Sequence, residues 1–232
     1  MPRMGVDLVA ASTQRIDTGY LPTIPATGAF TMATWFKIPA AGTGVLIGSG
    51  KAPGGVFNRC QINCQATNKV RVYAKDDAAV VVSQTSVKTV LDNLWHHVAG
   101  IVDCQNDKIK VVIDGLLDNS VAGVLGVIIL DTFDFTIGCL HNESGYTSYI
   151  TGRLAEPAIY TRELSIPEIR ELMAGRPPLA GLAIYYPMKR DARFGTSYLV
   201  NEATPYLSNG TLQGSPRIVP CPGIKTPWSS KF

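Results

Sequence analysis

The sequence predicts an all-β fold: a two-sheet antiparallel sandwich with one short helix. Three observations carry that prediction. Across residues 94–115 the chain alternates with the period of a strand, Val98, Gly100 and Val102 on one face and His97, Ala99 and Ile101 on the other. Ile109, Val111 and Ile113 repeat the period after a polar turn, and Asp114-Gly115 closes the second strand. The 22 glycines and 15 prolines supply turns for many short strands, while a single segment, opening at Ser165, has a helical signature. With 46% hydrophobic and 17% charged residues, the 232-residue chain can bury a large core as one all-β domain.

The elements follow in order. Residues 6–11 and 15–21 read as strands, with a turn at 22–28. Residues 30–37, FTMATWFK, place Phe30, Met32 and Phe36 on one face and Ala33 and Trp35 on the other, so both faces of this strand are covered. Strands at 45–48 and 57–64 flank a glycine-rich loop at 50–55. Residues 69–75 set Val70, Val72 and Ala74 against Arg71, Tyr73 and Lys75, and 78–84 is a β-branched run. After the 95–115 hairpin come strands at 124–130 and 133–139, a polar loop at 141–149, and the segment 152–164.

Ser165-Ile166-Pro167-Glu168 is a capping box, with Ser165 as N-cap and Glu168 reaching back. Ile166, Ile169, Leu172 and Met173 form the apolar stripe of the helix, and Gly175 with Pro177-Pro178 stops it. Residues 182–188 return to strand. From Pro205 onward the chain carries five prolines and little apolar periodicity. A sandwich over 1–188 and a Pro/Gly-rich arm over 189–232 are expected, the arm held against a neighbouring subunit or shell protein by Trp228 and Phe232. Folding of the arm back over its own sandwich is the alternative.

Three segments together resemble the laminin-G-like (concanavalin A-like) lectin family: F-T-M-A-T-W-F-K at 30–37, L-W-H-H-V-A with its D-G hairpin at 94–115, and G-R-L-A-E-P-A-I-Y-T-R-E-L-S-I-P-E-I at 152–169. Each is short, but they stand in family order and the likeness covers residues 6–175. The resemblance implies a concanavalin A-like jelly-roll sandwich, used for binding more often than for catalysis. It also implies that Trp95, His96 and His97 belong to a packing motif. Calcium is the cofactor usual in such proteins, with Asp103, Asp107, Asn142 and Glu143 as the candidates here. No acid-rich loop of D-x-D-x-D density accompanies them, so no metal site is assigned.

Composition excludes several function classes. Lys and Arg total 21 against 18 Asp and Glu, a net charge of +3 without a basic run, so no nucleic-acid partner is expected. The apolar stretches are too short to span a membrane, and residues 1–12 lack the apolar centre of a secretory signal. Cys60, Cys64, Cys104, Cys139 and Cys221 are irregularly spaced. Cys60 and Cys64 would sit about 13 Å apart along a strand, too far for a disulfide, so buried free thiols are expected.

Catalytic motifs are missing. Glycoside hydrolases of this fold resemble one another in a Glu-x-Asp-x-x-Glu strand, and none of the six glutamates here, Glu143, Glu156, Glu163, Glu168, Glu171 and Glu202, precedes an Asp by two. Gly48-Ser49-Gly50-Lys51 lacks the upstream glycine and the hydroxyl residue of a phosphate loop. His96 and His97 are adjacent and face opposite ways on a strand. The polar loop at 141–149 is the expected ligand surface: Tyr146 and Tyr149 to stack on sugar faces, Asn142 and Glu143 to bind hydroxyls.

Fold does not name a ligand. The expected use is a non-enzymatic structural or adhesion protein of a virus particle, most simply a phage, as a capsid decoration or fibre-associated protein at the virion surface. Its partners would be other virion proteins, its own subunits or glycans. A free carbohydrate-binding lectin of cellular origin, secreted by an unrecognised route, is the alternative, and a glycoside hydrolase comes last.

Overall fold

A computed structural model describes residues 3–50, 59–130, 133–143, 145–188, 198–203 and 209–221. Two eight-stranded antiparallel sheets dominate it, as the alternation predicts. The first sheet runs Leu116–Ala122, Lys108–Ile113, His96–Asp103, Ala29–Lys37, Gly152–Tyr160, Met4–Leu8, Arg217–Pro220, with Leu182–Tyr185 also paired to Gly152–Tyr160. The second runs Tyr198–Leu199, Gly210–Gln213, Arg15–Asp17, Thr136–Ile137, Gly44–Gly50, Arg59–Gln65, Lys69–Lys75, Val81–Thr85. Residues 44–85 supply four consecutive strands of the second sheet and residues 96–122 three of the first. Ala29–Lys37 pairs with both His96–Asp103 and Gly152–Tyr160, so the central pairings join segments distant in sequence and the fold is a jelly-roll sandwich.

The core lies between the sheets. Phe30, Met32 and Phe36 from one central strand meet Ile62, Val70 and Val72 from the other sheet, all at 0–1% exposure. Residues of opposite parity on the first sheet, Ala33, Trp35, Ala99 and Ile101, face outward into a second apolar cluster, which the helix Ile166–Met173 (α1) covers with Ile169, Leu172 and Met173. This explains why both faces of residues 30–37 are apolar. Both halves of the capping box form: the Ser165 hydroxyl accepts from the Glu168 amide and the Glu168 carboxylate accepts from the Ser165 amide at 2.9 Å. At the other end Gly175 adopts φ +77°, and the Gly175 and Arg176 amides donate to Leu172 and Glu171 carbonyls, a Schellman ending.

Several expectations shift. Trp95 is only half-buried, at the rim of the outer cluster, whereas Trp35 is buried beneath it at 3% exposure. Of the strands expected at 124–130 and 133–139, only Ile128–Ile129 and Thr136–Ile137 are paired, because the chain turns between sheets there. Leu116–Ala122 is a strand the sequence did not announce; it is a sheet edge, mostly exposed, and carries no apolar alternation.

The tail differs too. Gly210–Gln213 pairs with Arg15–Asp17 in one sheet and Arg217–Pro220 pairs with Met4–Leu8 in the other, so this stretch belongs to the sandwich rather than to an arm beginning at 189. Edge strands are held by backbone hydrogen bonds and need few apolar side chains; Leu212 and Cys221 suffice here, at 8% and 4% exposure. Trp228 and Phe232 lie outside the described residues. All five cysteines are free and buried.

Candidate functional site

Three adjacent strands of the second sheet, Gly44–Gly50, Arg59–Gln65 and Lys69–Lys75, build a groove on the face turned away from the core. Period two makes it. Cys60, Ile62, Cys64, Val70, Val72 and Ala74 enter the core, so Arg59, Gln61, Asn63, Arg71 and Tyr73 stand on the opposite face. Register sets Gln61 opposite Tyr73 and Asn63 opposite Arg71. The resulting cavity of about 420 Å³ is lined chiefly by Arg59, Gln61, Asn63, Gln65, Arg71 and Tyr149. That volume is within the usual range for small-molecule sites, roughly 300–1,000 Å³.

Two glycines make room for it. A Cβ on Gly48 would meet the Gln61 Cβ at 2.6 Å, so the glycine lets Gln61 lie across its strand. Gly44 has φ +129°, and a Cβ there would come within 2.8 Å of the Tyr149 and Ser148 carbonyl oxygens. The 148–150 segment can therefore close one wall of the groove, tied by the Val45 amide donating to the Ser148 carbonyl at 2.9 Å.

The floor is polar and basic. Arg71 Nε donates to Asn63 Oδ1 at 3.2 Å, and the Arg59 and Arg71 guanidiniums lie 5.8 and 5.4 Å from the Tyr73 ring centre. Gln61 is 4% exposed and its Oε1 has no hydrogen-bond partner, an acceptor at the floor that no protein donor satisfies. Among the described residues no carboxylate lines the cavity. Sequence reasoning passed over these strands because alternating polar residues also mark an ordinary solvated face. The usable signal was their type, amide and Arg in place of Lys and Glu.

The four residues expected to bind ligand separate. Leu140–Asn142 and Gly145–Thr147 form a small hairpin in which Tyr146 stacks on His141, with ring centres 4.1 Å apart at 15°. The Arg15 guanidinium sits 3.5 Å from the same ring centre. Two groups at those distances must cover opposite faces, so Tyr146 has no face left for a sugar. His141 Nδ1 is bound to Asp134 Oδ1 at 2.6 Å, and Phe133 meets the His141 ring edge-on at 5.0 Å. Arg15 also forks onto Asp17, whose carboxyl burial holds above its ordinary range. Asn142 is buried and donates to the Thr147 hydroxyl at 3.3 Å, and Glu143 is exposed at the tip. Tyr149 alone lines the groove; burial raises its hydroxyl pKa.

The residues do not fit calcium. Asp103 accepts from the Asn106 amide and side chain and lies 3.8 Å from Lys110 Nζ, while Asn142 is spent on Thr147. Among the described residues no group of three or more His, Cys, Asp or Glu side chains is placed to hold a metal. The glutamates are equally committed: Glu163 to Lys110, Glu168 to Arg162 and the helix cap, Glu171 to Arg176. Glu156 sits at a bulge in Gly152–Tyr160, with φ +50°, 3.4 Å from Arg3 Nη1; burial raises its pKa.

The family model described as the concanavalin A-like lectin/glucanases superfamily matches residues 11–170, more than half of the chain. The chain belongs to that superfamily. Comparison with curated protein sequences finds no match. Among solved structures, this superfamily member is similar to a putative carbohydrate binding protein from Bacteroides ovatus, at 13% identity and TM-score 0.66, over 95% of this chain and 60% of that one. It is similar to a heptameric SAP-like pentraxin from Limulus polyphemus, at 9% identity and TM-score 0.66, over 96% and 97%. A third likeness is to the CBM40 of a Ruminococcus gnavus IT-sialidase bound to sialyllactose, at 17% identity and TM-score 0.52, over 71% and 89%. At these identities the likeness is one of fold.

Proposed function

We propose that the chain is a non-enzymatic carbohydrate-binding protein whose glycan lies in the groove over Gly44–Gly50, Arg59–Gln65 and Lys69–Lys75. The observation that carries this reading is the groove itself: a concave, open cavity of about 420 Å³ floored by amide and guanidinium groups on rigid strands. Such groups donate to and accept from sugar hydroxyls, and strands hold them in fixed register. Two solved structures of this fold are named for carbohydrate binding or for a bound sialyllactose, which supports a saccharide as the ligand class.

Catalysis by the two-carboxylate route needs an acid and a base or nucleophile within about 5–9.5 Å across the scissile bond. Among the described residues the groove lining holds neither. A glycan array followed by calorimetry tests the reading. Binding of at least one glycan, weakened about tenfold or more in Asn63→Ala with an unchanged melting temperature, is expected from losing a hydrogen-bonding floor residue. Failure of every glycan, or full binding by Asn63→Ala, overturns it. Incubation with laminarin, β-glucan or agarose oligosaccharides should release no product.

The setting we propose is adhesion at the surface of a virus particle, with a free secreted lectin as the alternative. Leu116, Leu117 and Val124, exposed at 59%, 55% and 70% along or beside a sheet edge, favour a protein that packs against others. Mass photometry at low concentration separates the two: a particle protein should assemble, and a free lectin should bind glycan as a lone chain.

A further inference from the structure

Arg59 and Arg71 give the groove a charge that its own residues leave unneutralised. Among the described residues Arg59 forms no ion pair or hydrogen bond, and Arg71 commits only its Nε, to Asn63. The remaining guanidinium N–H donors are unspent. Both guanidiniums lie near the Tyr73 ring, 5.8 and 5.4 Å from its centre, reached from the adjacent strands Arg59–Gln65 and Lys69–Lys75. The planar guanidinium presents its donors as a rigid fork that matches a carboxylate. Among the described residues no acidic side chain lines the cavity to compete for it.

We propose that the groove takes an acidic sugar, its carboxylate held by Arg59 and Arg71 and its ring hydroxyls by Gln61, Asn63 and Gln65. This rests on the glycan reading of the same site and adds the ligand's charge. The carboxylate supplies the counter-charge the groove lacks, and the amides meet the neutral hydroxyls beside it. A uronate and a sialate share this chemistry.

Calorimetry with trigalacturonic acid, sialyllactose, a sulfated carrageenan oligosaccharide, galactotriose and lactose tests it. A carboxylate sugar should bind about tenfold or more tighter than its neutral counterpart, the fold-change expected of a charge-assisted pair. The preference should shrink as salt rises. The ratio of acidic to neutral affinity should fall to about one in Arg71→Gln and in Gln65→Glu, which brings a repelling carboxylate to the rim, with the melting temperature unchanged. If Arg71→Gln fails to fold, Gln65→Glu decides alone. The uronate and sialate arms identify the source of the carboxylate. Equal binding of neutral and acidic sugars overturns the inference and leaves the glycan reading intact. Preference for the sulfated oligosaccharide alone, or a preference that survives both variants, overturns it as well. Absence of binding by every sugar removes both readings.

Discussion

Asp114 closes a hairpin and ties three other groups to it. With φ +51° at Asp114 and +74° at Gly115, the two residues between Lys108–Ile113 and Leu116–Ala122 form the tight turn that an Asp-Gly pair favours. The carboxylate accepts from the His97 amide at 3.0 Å, His96 Nδ1 at 2.9 Å and Lys88 Nζ at 2.6 Å. Burial pushes Asp114 up, but the hydrogen bonds from His96, Lys88 and the His97 amide outweigh it and hold the group at about 2. His96 is raised from 6.5, first by its bond to Asp114, with burial opposing. The depressed acid stabilises the fold above its ordinary carboxylate range and loses that contribution as pH falls towards 2. The raised imidazole stabilises below 6.5 and loses its contribution as pH rises through its folded value. Their joint contribution is therefore greatest between roughly pH 4 and 6.5. Asp114→Asn should lower stability by about 1–3 kcal/mol near pH 5.5 and flatten both flanks. Urea midpoints at acid, mildly acid and alkaline pH measure this; an unchanged profile would place the titration elsewhere.

Trp35 and Trp95 give a second test at the same scale. Trp35 is buried, with the His97 ring edge-on at 5.2 Å, and burial drives His97 down to about 3, so that imidazole stays neutral. Trp35→Ala should cost about 3–5 kcal/mol, enough to unfold a domain whose total is about 5–15. Trp95→Ala, from a half-buried rim position, should cost visibly less. Melting curves of the two variants rank them, and the reverse order would contradict the packing.

At the scale of the element, what was legible depended on how local the determinant is. The helix was readable to the residue, because a capping box and a glycine stop act within one turn; Ser165→Ala should cost about 1 kcal/mol, visible as a lower denaturation midpoint, and an unchanged midpoint would mean the cap is idle. The central strands were readable because burial on one or both faces imposes a period. The site was not. Tyr146 looked free in sequence, yet Arg15, far away along the chain, covers one of its faces after Arg15–Asp17 joins the second sheet. The groove needs Gly44, Arg59 and Arg71 from three strands, and only register places them together. Edge strands escaped for a different reason, since their pairing is carried by the backbone.

For the whole molecule, the tail joins the two sheets at one side of the sandwich. Gly210–Gln213 extends the second sheet beyond Arg15–Asp17, and Arg217–Pro220 covers the Met4–Leu8 edge of the first, with the Cys221 amide donating to the Arg3 carbonyl at 2.9 Å. A Cβ on Gly210 would meet Ile16 and Tyr186 at 2.9 and 3.0 Å, so this strand packs at close quarters with the core beneath. Ending the chain after residue 208 removes both strands, uncovers Ile16 and Val6, and exposes two backbone edges at once. Such a chain should melt many degrees lower or aggregate. Ending it after Cys221 removes Trp228 and Phe232 while keeping both strands, and should leave the melting temperature unchanged. The pair of truncations separates intramolecular from intermolecular roles, which a single cut cannot do. If the chain ending at 221 also loses assembly in mass photometry, its last residues anchor a neighbour. If it melts as low as the shorter chain, residues beyond 221 complete the sandwich, and the anchoring role expected of the two aromatic residues is wrong.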